Sequence, residues 1–285
     1  MRLMIFDGNS IAWTTGYSVA HFSYRQAKTG VVYGFLKAIL SYFRKYDATT
    51  AAIVWDAGKS FRKEIFPDYK KARKELTDDE RVFRDQVLSQ VSTIQNLLKD
   101  LNFVNSFGYP GLEGDDLIAS LTLNYMNKPN TDIYIVSGDS DLYQLLRDNV
   151  HIVSPRDSDT LITKTGFVDE YGIDPTEWVL VKAIAGDTSD SIPGVKGVGI
   201  SRAIKYLKGE MKESSAFYKR IKESTDLIER NIRLVKLPFE GTPSLTLKRA
   251  SGDLLTYIRF LQDYGMNSLM KKEQLETAKR LFRLK

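Results

Sequence analysis

The sequence predicts an open α/β sheet, and three observations carry that expectation. Apolar runs of strand length recur at Arg2–Phe6, Ala51–Trp55 and Asp132–Val136. Stretches with helical apolar spacing separate them, which is the alternation that builds a sheet with helices packed on it. Each run also delivers carboxylates at its C-terminal end: Asp7, Asp56, and, through Ser137-Gly138, Asp139 and Asp141. In open α/β sheets the ligand site lies at the carboxyl ends of the strands, so these acids are expected to meet. Surface turns also favour Asp, but three such endings in a row are hard to assign to chance.

Taken in order, the spacing of Phe35, Leu36, Ile39, Leu40 and Phe43 predicts a helix over Tyr33–Tyr46. Beyond Asp56, the run Lys59–Lys74 carries Lys59, Arg62, Lys63, Lys70, Lys71, Arg73 and Lys74 against only Glu64 and Asp68, with Phe61, Phe66 and Tyr69 interleaved. Cations among aromatics suit single-stranded nucleic acid, which offers phosphates and stackable bases. A solvated basic face is the ordinary reading of a charge run; adjacency to Asp56 favours the functional one. Thr77–Glu80 reads as a capping box, and Val87, Val91, Ile94, Leu98 and Leu101 make the apolar stripe of the helix it starts. Next, Glu113, Asp115 and Asp116 crowd the start of a helix continuing through Leu121 and Tyr125. The macrodipole favours acids there, but three within four residues exceed what a cap requires. Glu113 and Asp116 share a face and Asp115 is rotated from them, an arrangement able to bridge two ions. Val150–Ser154 and Thr160–Thr163 predict a hairpin, and Asp174-Pro175 starts a helix through Trp178, Val181 and Ala185. Helices are expected at Phe217–Val235, Leu254–Tyr264 and Gln274–Leu284, with no internal repeat or low-complexity segment.

The stretch from Gly186 to Gly199 combines two signals. Asp187 and Asp190 stand one helical turn apart, where like charges destabilise unless a cation lies between them. Gly194, Gly197 and Gly199 then permit positive φ and close backbone approach, so that successive N–H groups can converge on a phosphate. A helix is expected from Ser201 to Leu207. A polar turn between helices is the bland alternative; the pairing of both signals, with acids upstream, outweighs it.

Composition narrows the chemistry. The 285 residues contain no cysteine and only two histidines, His21 and His151, so thiolate chemistry and imidazole-rich metal sites are excluded. A metal would be held by oxygen, which points to magnesium or manganese. The run before Asp7 is too short for a secretory signal and no apolar run approaches the ~18 residues of a membrane span, so a cytoplasmic protein is expected. Net charge is +5, from 41 basic and 36 acidic residues. Asp7, Asp56, Glu113, Asp115, Asp116, Asp139, Asp141, Asp187 and Asp190 are the nine candidate carboxylates. Setting them apart leaves 27 acids against 41 basic residues, a balance of +14 that suits a polyanion lying across an acidic, metal-holding cleft. Two oxygen-held ions ~4 Å apart, with no Ser/His or Cys/His nucleophile, imply phosphodiester cleavage by metal-activated water.

The same residues carry a family resemblance. Phe6-Asp7-Gly8, Asp56 with Ser60-Phe61-Arg62 and Asp68–Arg73, Glu113-Gly114-Asp115-Asp116, Gly138-Asp139-Ser140-Asp141, and Gly186-Asp187 through Gly199 resemble, in this order, the 5′ nuclease superfamily of flap endonucleases, phage 5′-3′ exonucleases and polymerase I nuclease domains. The match covers about residues 1–240. It implies a PIN-like α/β domain over residues 1–165 with a helical arch at about 57–105. It also implies a helical region over 166–285, with a helix-three-turn-helix at about 180–210. By resemblance, Asp7, Asp56, Glu113, Asp115 and Asp116 belong to a first magnesium or manganese ion, and Asp139, Asp141, Asp187 and Asp190 to a second. Lys70 and Arg73 match the arch pair facing the scissile phosphate, which with Asp7 and Asp139 makes them the expected catalytic residues. Arg62, Lys63, Lys71, Gly194, Lys196, Gly197, Gly199 and Ser201 are the expected DNA contacts, with a potassium ion at the Gly194–Gly199 hairpin.

The resemblance implies a monomeric structure-specific 5′ nuclease acting on DNA with a 5′ flap, nick or free 5′ end, and extends to RNA–DNA hybrids and replication-protein partners. Thr14 stands where many relatives carry arginine, so one phosphate-side cation is either missing or supplied elsewhere, with Arg25 and Lys28 the candidates; phage ribonuclease H types share the departure, and a phage enzyme would work in the host cytoplasm. Lys196 stands where proline is common and adds a candidate phosphate contact. Arg280–Lys285 is a basic end open to a partner or to solvent. Two alternatives stay open: a non-catalytic structure-specific DNA-binding protein, and a PIN-type ribonuclease.

Overall fold

The three acid-ended runs are neighbouring strands of one sheet. The computed structural model describes residues 1–19, 22–71, 77–155 and 159–285. In chain order its strands are β1 (Arg2–Asp7), the short pair β2 (Ser23–Tyr24) and β3 (Ala27–Lys28), β4 (Thr50–Val54), β5 (Ser106–Phe107), β6 (Asp132–Val136), β7 (Val150–Ser154), β8 (Thr160–Ile162), and a second short pair, β9 (Gly186–Asp187) and β10 (Ile192–Pro193). Six of them form a sheet in the order β5-β4-β1-β6-β7-β8. The first five run parallel, and β8 returns antiparallel to β7 as the expected hairpin. The chain travels outward from β1 through β4 to β5, then crosses back to β6 on the other flank of β1. Strand order therefore reverses at β1, and the crevice outside the carboxyl ends of β1 and β6 is the topological switch point.

Helices cover both faces: α1 (Gly8–Val19), α2 (Gly30–Lys45), α3 (Arg62–Ile65), α4 (Asp78–Asp100), α5 (Gly114–Tyr125), α6 (Lys164–Tyr171), α7 (Trp178–Ala185), α8 (Ile200–Leu207), α9 (Ala216–Glu223), α10 (Thr225–Val235), α11 (Leu254–Asp263) and α12 (Lys272–Phe282). Alternation along β1 divides the core. Met4 and Phe6 pack with residues of α2, α4, α11 and α12 on one face, while Leu3 and Ile5 pack with α5, α7 and α8 on the other. A strand buried on both faces needs a continuous apolar run, and each side chain so buried contributes roughly 1.5–3 kcal/mol. The predicted capping box starts α4: Thr77 N–H donates to Glu80 Oε2 at 2.8 Å, and Glu80 N–H donates to Thr77 Oγ1 at 3.3 Å.

Several expectations change. The helix expected over 217–235 is two helices, broken at Ser224, and α1 has no counterpart in the expected elements. Tyr257, Leu261, Leu281 and Phe282 of the C-terminal helices share the core of α2 and α4. The basic C-terminal end is packed rather than loose, since Arg280 donates to Asp47 Oδ1 at 2.8 Å and Ala48 O at 3.0 Å, and Leu284 pairs with Gly252.

Candidate active site

The strand ends place the acids as expected. Asp7 closes β1, Asp56 follows β4 by two residues, and Asp139 follows β6 by three. Helix α5 opens against the same edge, because Gly114 N–H donates to Asp56 Oδ1 at 2.7 Å. Asp7 accepts from Ser10 N–H at 2.9 Å and from Ser137 Oγ at 2.7 Å, which joins the ends of β1 and β6. Asp139 accepts from Asp141 N–H at 2.8 Å, so the turn after β6 fixes the Asp139 carboxylate.

Asp115 is the centre of the group. Burial first, then the neighbouring charges of Asp139, Asp7, Asp56 and Asp141, push its carboxyl well above the ordinary range. Burial also raises Asp7 to about 6, with Asp56 and Asp139 adding to the rise. Asp141 is raised to about 6 by burial, against the pull of Lys182. Three carboxyls, those of Asp115, Asp7 and Asp141, are thus held above their ordinary range where acids crowd without enough countercharge, and a hard divalent cation is what an all-oxygen donor set of this kind fits. Among the described residues, no three acids are gathered tightly enough to enclose one ion. Two lysines stand between them instead.

Lys70 is the first. Its Nζ lies 2.7 Å from Glu113 Oε1 and 3.7 Å from Asp190 Oδ2, and its own N–H donates to Asp190 O at 2.8 Å. It lines a cavity of ≈ 270 Å³ together with Asp56, Lys59, Lys63 and Glu113. Lys182 is the second, and sequence reasoning missed it. Its Nζ lies 2.7 Å from Asp141 Oδ1 and donates to Asp187 Oδ2, at 7% exposure. A lysine inside the apolar run Trp178–Ala185, five residues before Asp187, is the signal that could have found it. Burial alone would raise Asp187, but hydrogen bonds from Lys182 and Ser189 bring it below its ordinary value. Asp190 is raised, by burial above all.

Two expected roles are corrected. Asp116 is not placed as a metal ligand: it is 0% exposed, and both oxygens are taken. Arg62 grips it with Nη1 and Nη2 at 2.8 Å each, Glu113 N–H donates at 3.0 Å, and Phe239 N–H donates at 2.8 Å. Arg62 is accordingly not a DNA contact, being 2% exposed, with Nε donating to Leu234 O at 2.7 Å. Tyr69, read as a stacking aromatic, is buried, and its hydroxyl lies 2.9 Å from both Glu113 Oε2 and Asp190 Oδ2, donating to one at a time. Phe61 remains exposed, while Phe66 lies under the Arg230 guanidinium at 4.5 Å. Lys63 and Lys71 are exposed, and Lys71 pairs with Asp68 at 2.9 Å. Arg73 lies outside the described residues. Thr14 sits within α1, and Arg25 lies over the Tyr24 ring on the β2–β3 turn, which packs against Gly265.

The glycine stretch forms a hairpin between α7 and α8. A Cβ on Gly194 would lie 2.0 Å from Ala185 O, so that glycine serves close approach. Gly197 has φ +78°, as expected, whereas Gly199 has φ −96° and open space around it, so positive φ is not what requires glycine there. Asn231 of α10 holds the hairpin by donating to Ala183 O and Pro193 O at 2.9 Å each. Two hairpin carbonyls are engaged by guanidiniums: Gly197 O accepts from Arg202 at 2.8 Å, and Lys196 O from Arg220 at 3.3 Å. Lys196 and Ser201 are exposed beside them.

The 5'-3' exonuclease, N-terminal resolvase-like domain family matches residues 2–172. A 5'-3' exonuclease of Aquifex aeolicus is 30% identical over 282 residues, covering 95% of this chain and 94% of its own. A 5'-3' exonuclease of Buchnera aphidicola is 28% identical over 288 residues, covering 98% and 96%. The bacteriophage T5 flap endonuclease, solved with DNA and metal ions, superposes with a TM-score of 0.71 at 23% identity, over 98% of this chain and 100% of that one, and so shares its fold. With an acid-lined edge at the switch point of a six-stranded sheet and relatives aligned end to end, the chain belongs to the 5'-3' exonuclease family.

Proposed function

We propose that this 5'-3' exonuclease is a structure-specific nuclease that also cuts 5′ flaps, acting on phosphodiesters of DNA with two magnesium or manganese ions. The observation that carries the reading is Asp115 at the strand ends, whose carboxyl is pushed well above its ordinary range by burial and by the charges of Asp139, Asp7, Asp56 and Asp141. The first ion would be held by Asp7, Asp56, Glu113 and Asp115, and the second by Asp139, Asp141, Asp187 and Asp190. Bound there, such ions would supply Lewis acidity and lower the pKa of the attacking water. The chain's own residues do the rest. Ser10 and Ser137 orient Asp7, Gly114 N–H orients Asp56, and Tyr69 orients Glu113 or Asp190. Lys70, lining the cavity beside Asp56, offers an ammonium to charge developing on the phosphoryl oxygens once it leaves Glu113.

In this reading, residues 57–105 form the arch and 180–210 the helix-three-turn-helix. Lys63, Lys71, Lys196 and Ser201 meet phosphates, and the open space at Gly199 admits one at the start of α8. A potassium ion at the hairpin has weaker support, since Lys196 O and Gly197 O already accept from arginines. Product mapping on matched flap, nicked and RNA–DNA hybrid substrates tests the proposal: cleavage at the flap junction in magnesium, abolished by chelator, is expected. Stepwise release from 5′ ends with intact flaps would reject the flap activity.

A further inference from the structure

Lys182 differs from Lys70 in a way that matters for metal. Lys70 lines an open cavity, so its ammonium can leave Glu113 by rotating its side chain. Lys182 projects from the middle of α7 and is 7% exposed; its Nζ donates to Asp187 Oδ2 and forms an ion pair with Asp141 Oδ1 at 2.7 Å, an oxygen that is buried with no hydrogen-bond partner among the described residues. The other Asp187 oxygen is committed as well, to Ser189 N–H at 2.8 Å and Asp190 N–H at 3.2 Å. These contacts join the turn after β6 to the hairpin after α7, the two segments that contribute all four acids assigned to the second ion.

We infer that Lys182 is a positioning residue with a built-in charge: it holds Asp141 and Asp187 together in the DNA-free protein and keeps that position's affinity for a divalent cation low. The inference rests on the two-ion reading above and adds to it that the second ion is weakly held until substrate arrives. A buried carboxylate pair without a cation is costly, so an ammonium between them stabilises the metal-free fold. The same ammonium repels an incoming ion. At ~5 Å from a divalent ion, a unit charge weakens binding roughly fifteenfold even at the dielectric constant of bulk water. Phosphate oxygens of bound DNA would add the negative charge that offsets this repulsion.

The test is manganese binding to full-length, DNA-free protein, followed by the electron paramagnetic resonance of free Mn2+ and by calorimetry. Wild type is expected to show one tight and one weak ion. Lys182→Met should tighten the weak one at least tenfold, Lys182→Arg should keep it weak, and adding Asp139→Asn to Lys182→Met should remove it. Should Lys182→Met not fold without metal, Lys182→Gln keeps a polar amide beside the carboxylates without the charge and carries the same expectation. An unchanged or weaker second ion in the folded neutral variants, with two ions still bound by wild type, overturns the inference alone. A single ion in wild type at saturation overturns the two-ion reading and the inference with it.

Discussion

Replacing Asp116 by Asn separates a structural carboxylate from a metal ligand. Asp116 is fully buried and answers the Arg62 guanidinium through two 2.8 Å bonds, while Glu113 comes within only 3.7 Å of that guanidinium. Breaking one partner of such a buried pair costs about 3–5 kcal/mol, because the other charge is left uncompensated. Unfolding entropy of about 2.1 cal/mol/K per residue gives this chain about 0.6 kcal/mol/K, so the melting temperature should fall by about 5–8 °C. The assay is thermal unfolding of Asp116→Asn in chelator, beside manganese binding at a temperature where the variant is folded. Lower melting with both ions retained is the expected result. Arg62→Met combined with Asp116→Leu should recover part of the loss, because it removes the orphaned charge. Melting within about 1 °C of wild type, together with loss of an ion, would refute the structural role and return Asp116 to the metal.

Four other outcomes follow. Asp139→Asn should abolish cleavage while sparing DNA binding, since one ligand is lost and less negative charge faces the DNA; full cleavage would reject Asp139 as a ligand. Lys70→Ala should lower single-turnover cleavage about a hundredfold with little loss of affinity, Lys63→Ala serving as control; a normal rate at saturation would remove Lys70 from catalysis. Gly197→Val should weaken binding to duplex-bearing substrates, because φ is +78° and an added Cβ meets the Phe217 ring at 3.2 Å. An affinity equal to wild type would argue against the hairpin as the duplex grip. In chelator, the raised carboxyls of Asp7 and Asp141 contribute stability that is present below the ordinary value of 3.8 and lost as pH rises through about 6. Thermal melts should therefore decline across that window and the decline should disappear in saturating magnesium; a flat profile without metal would contradict the crowding of these acids.

What the sequence made legible was local. Strand runs ending in acids, the capping box at Thr77 and the paired signals of 186–199 all depend on neighbours in the chain, and they placed Asp7, Asp56, Asp139 and the hairpin correctly. Partnerships across the fold were not legible. Arg62 lies 54 residues from Asp116, and nothing in its basic run shows that it turns inward while Lys63 stays outside. Spacing put Glu113 and Asp116 on one face, yet their surroundings differ because Phe239, far along the chain, donates to Asp116 alone. Helix α1 was hidden for another reason. Its threonines and glycines are poor helix formers, and tight packing favours it instead: a Cβ on Gly34 would lie 2.7 Å from Thr15, and one on Gly16 3.1 Å from Val87.

The dependence of Asp116 and Arg62 on Phe239 and Leu234 bears on how the protein is made. Synthesis proceeds from the N-terminus, and domains generally fold as units. All nine acids have been joined to the growing chain once Asp190 is added, but the backbone groups that seat the buried pair at the start of α5 come more than forty residues later. Central β1 likewise waits for β6, whose residues lie about 130 positions downstream. A nascent chain therefore carries all nine acids before the last partners of the buried Arg62–Asp116 pair exist, so the native start of α5 is completed only late in synthesis.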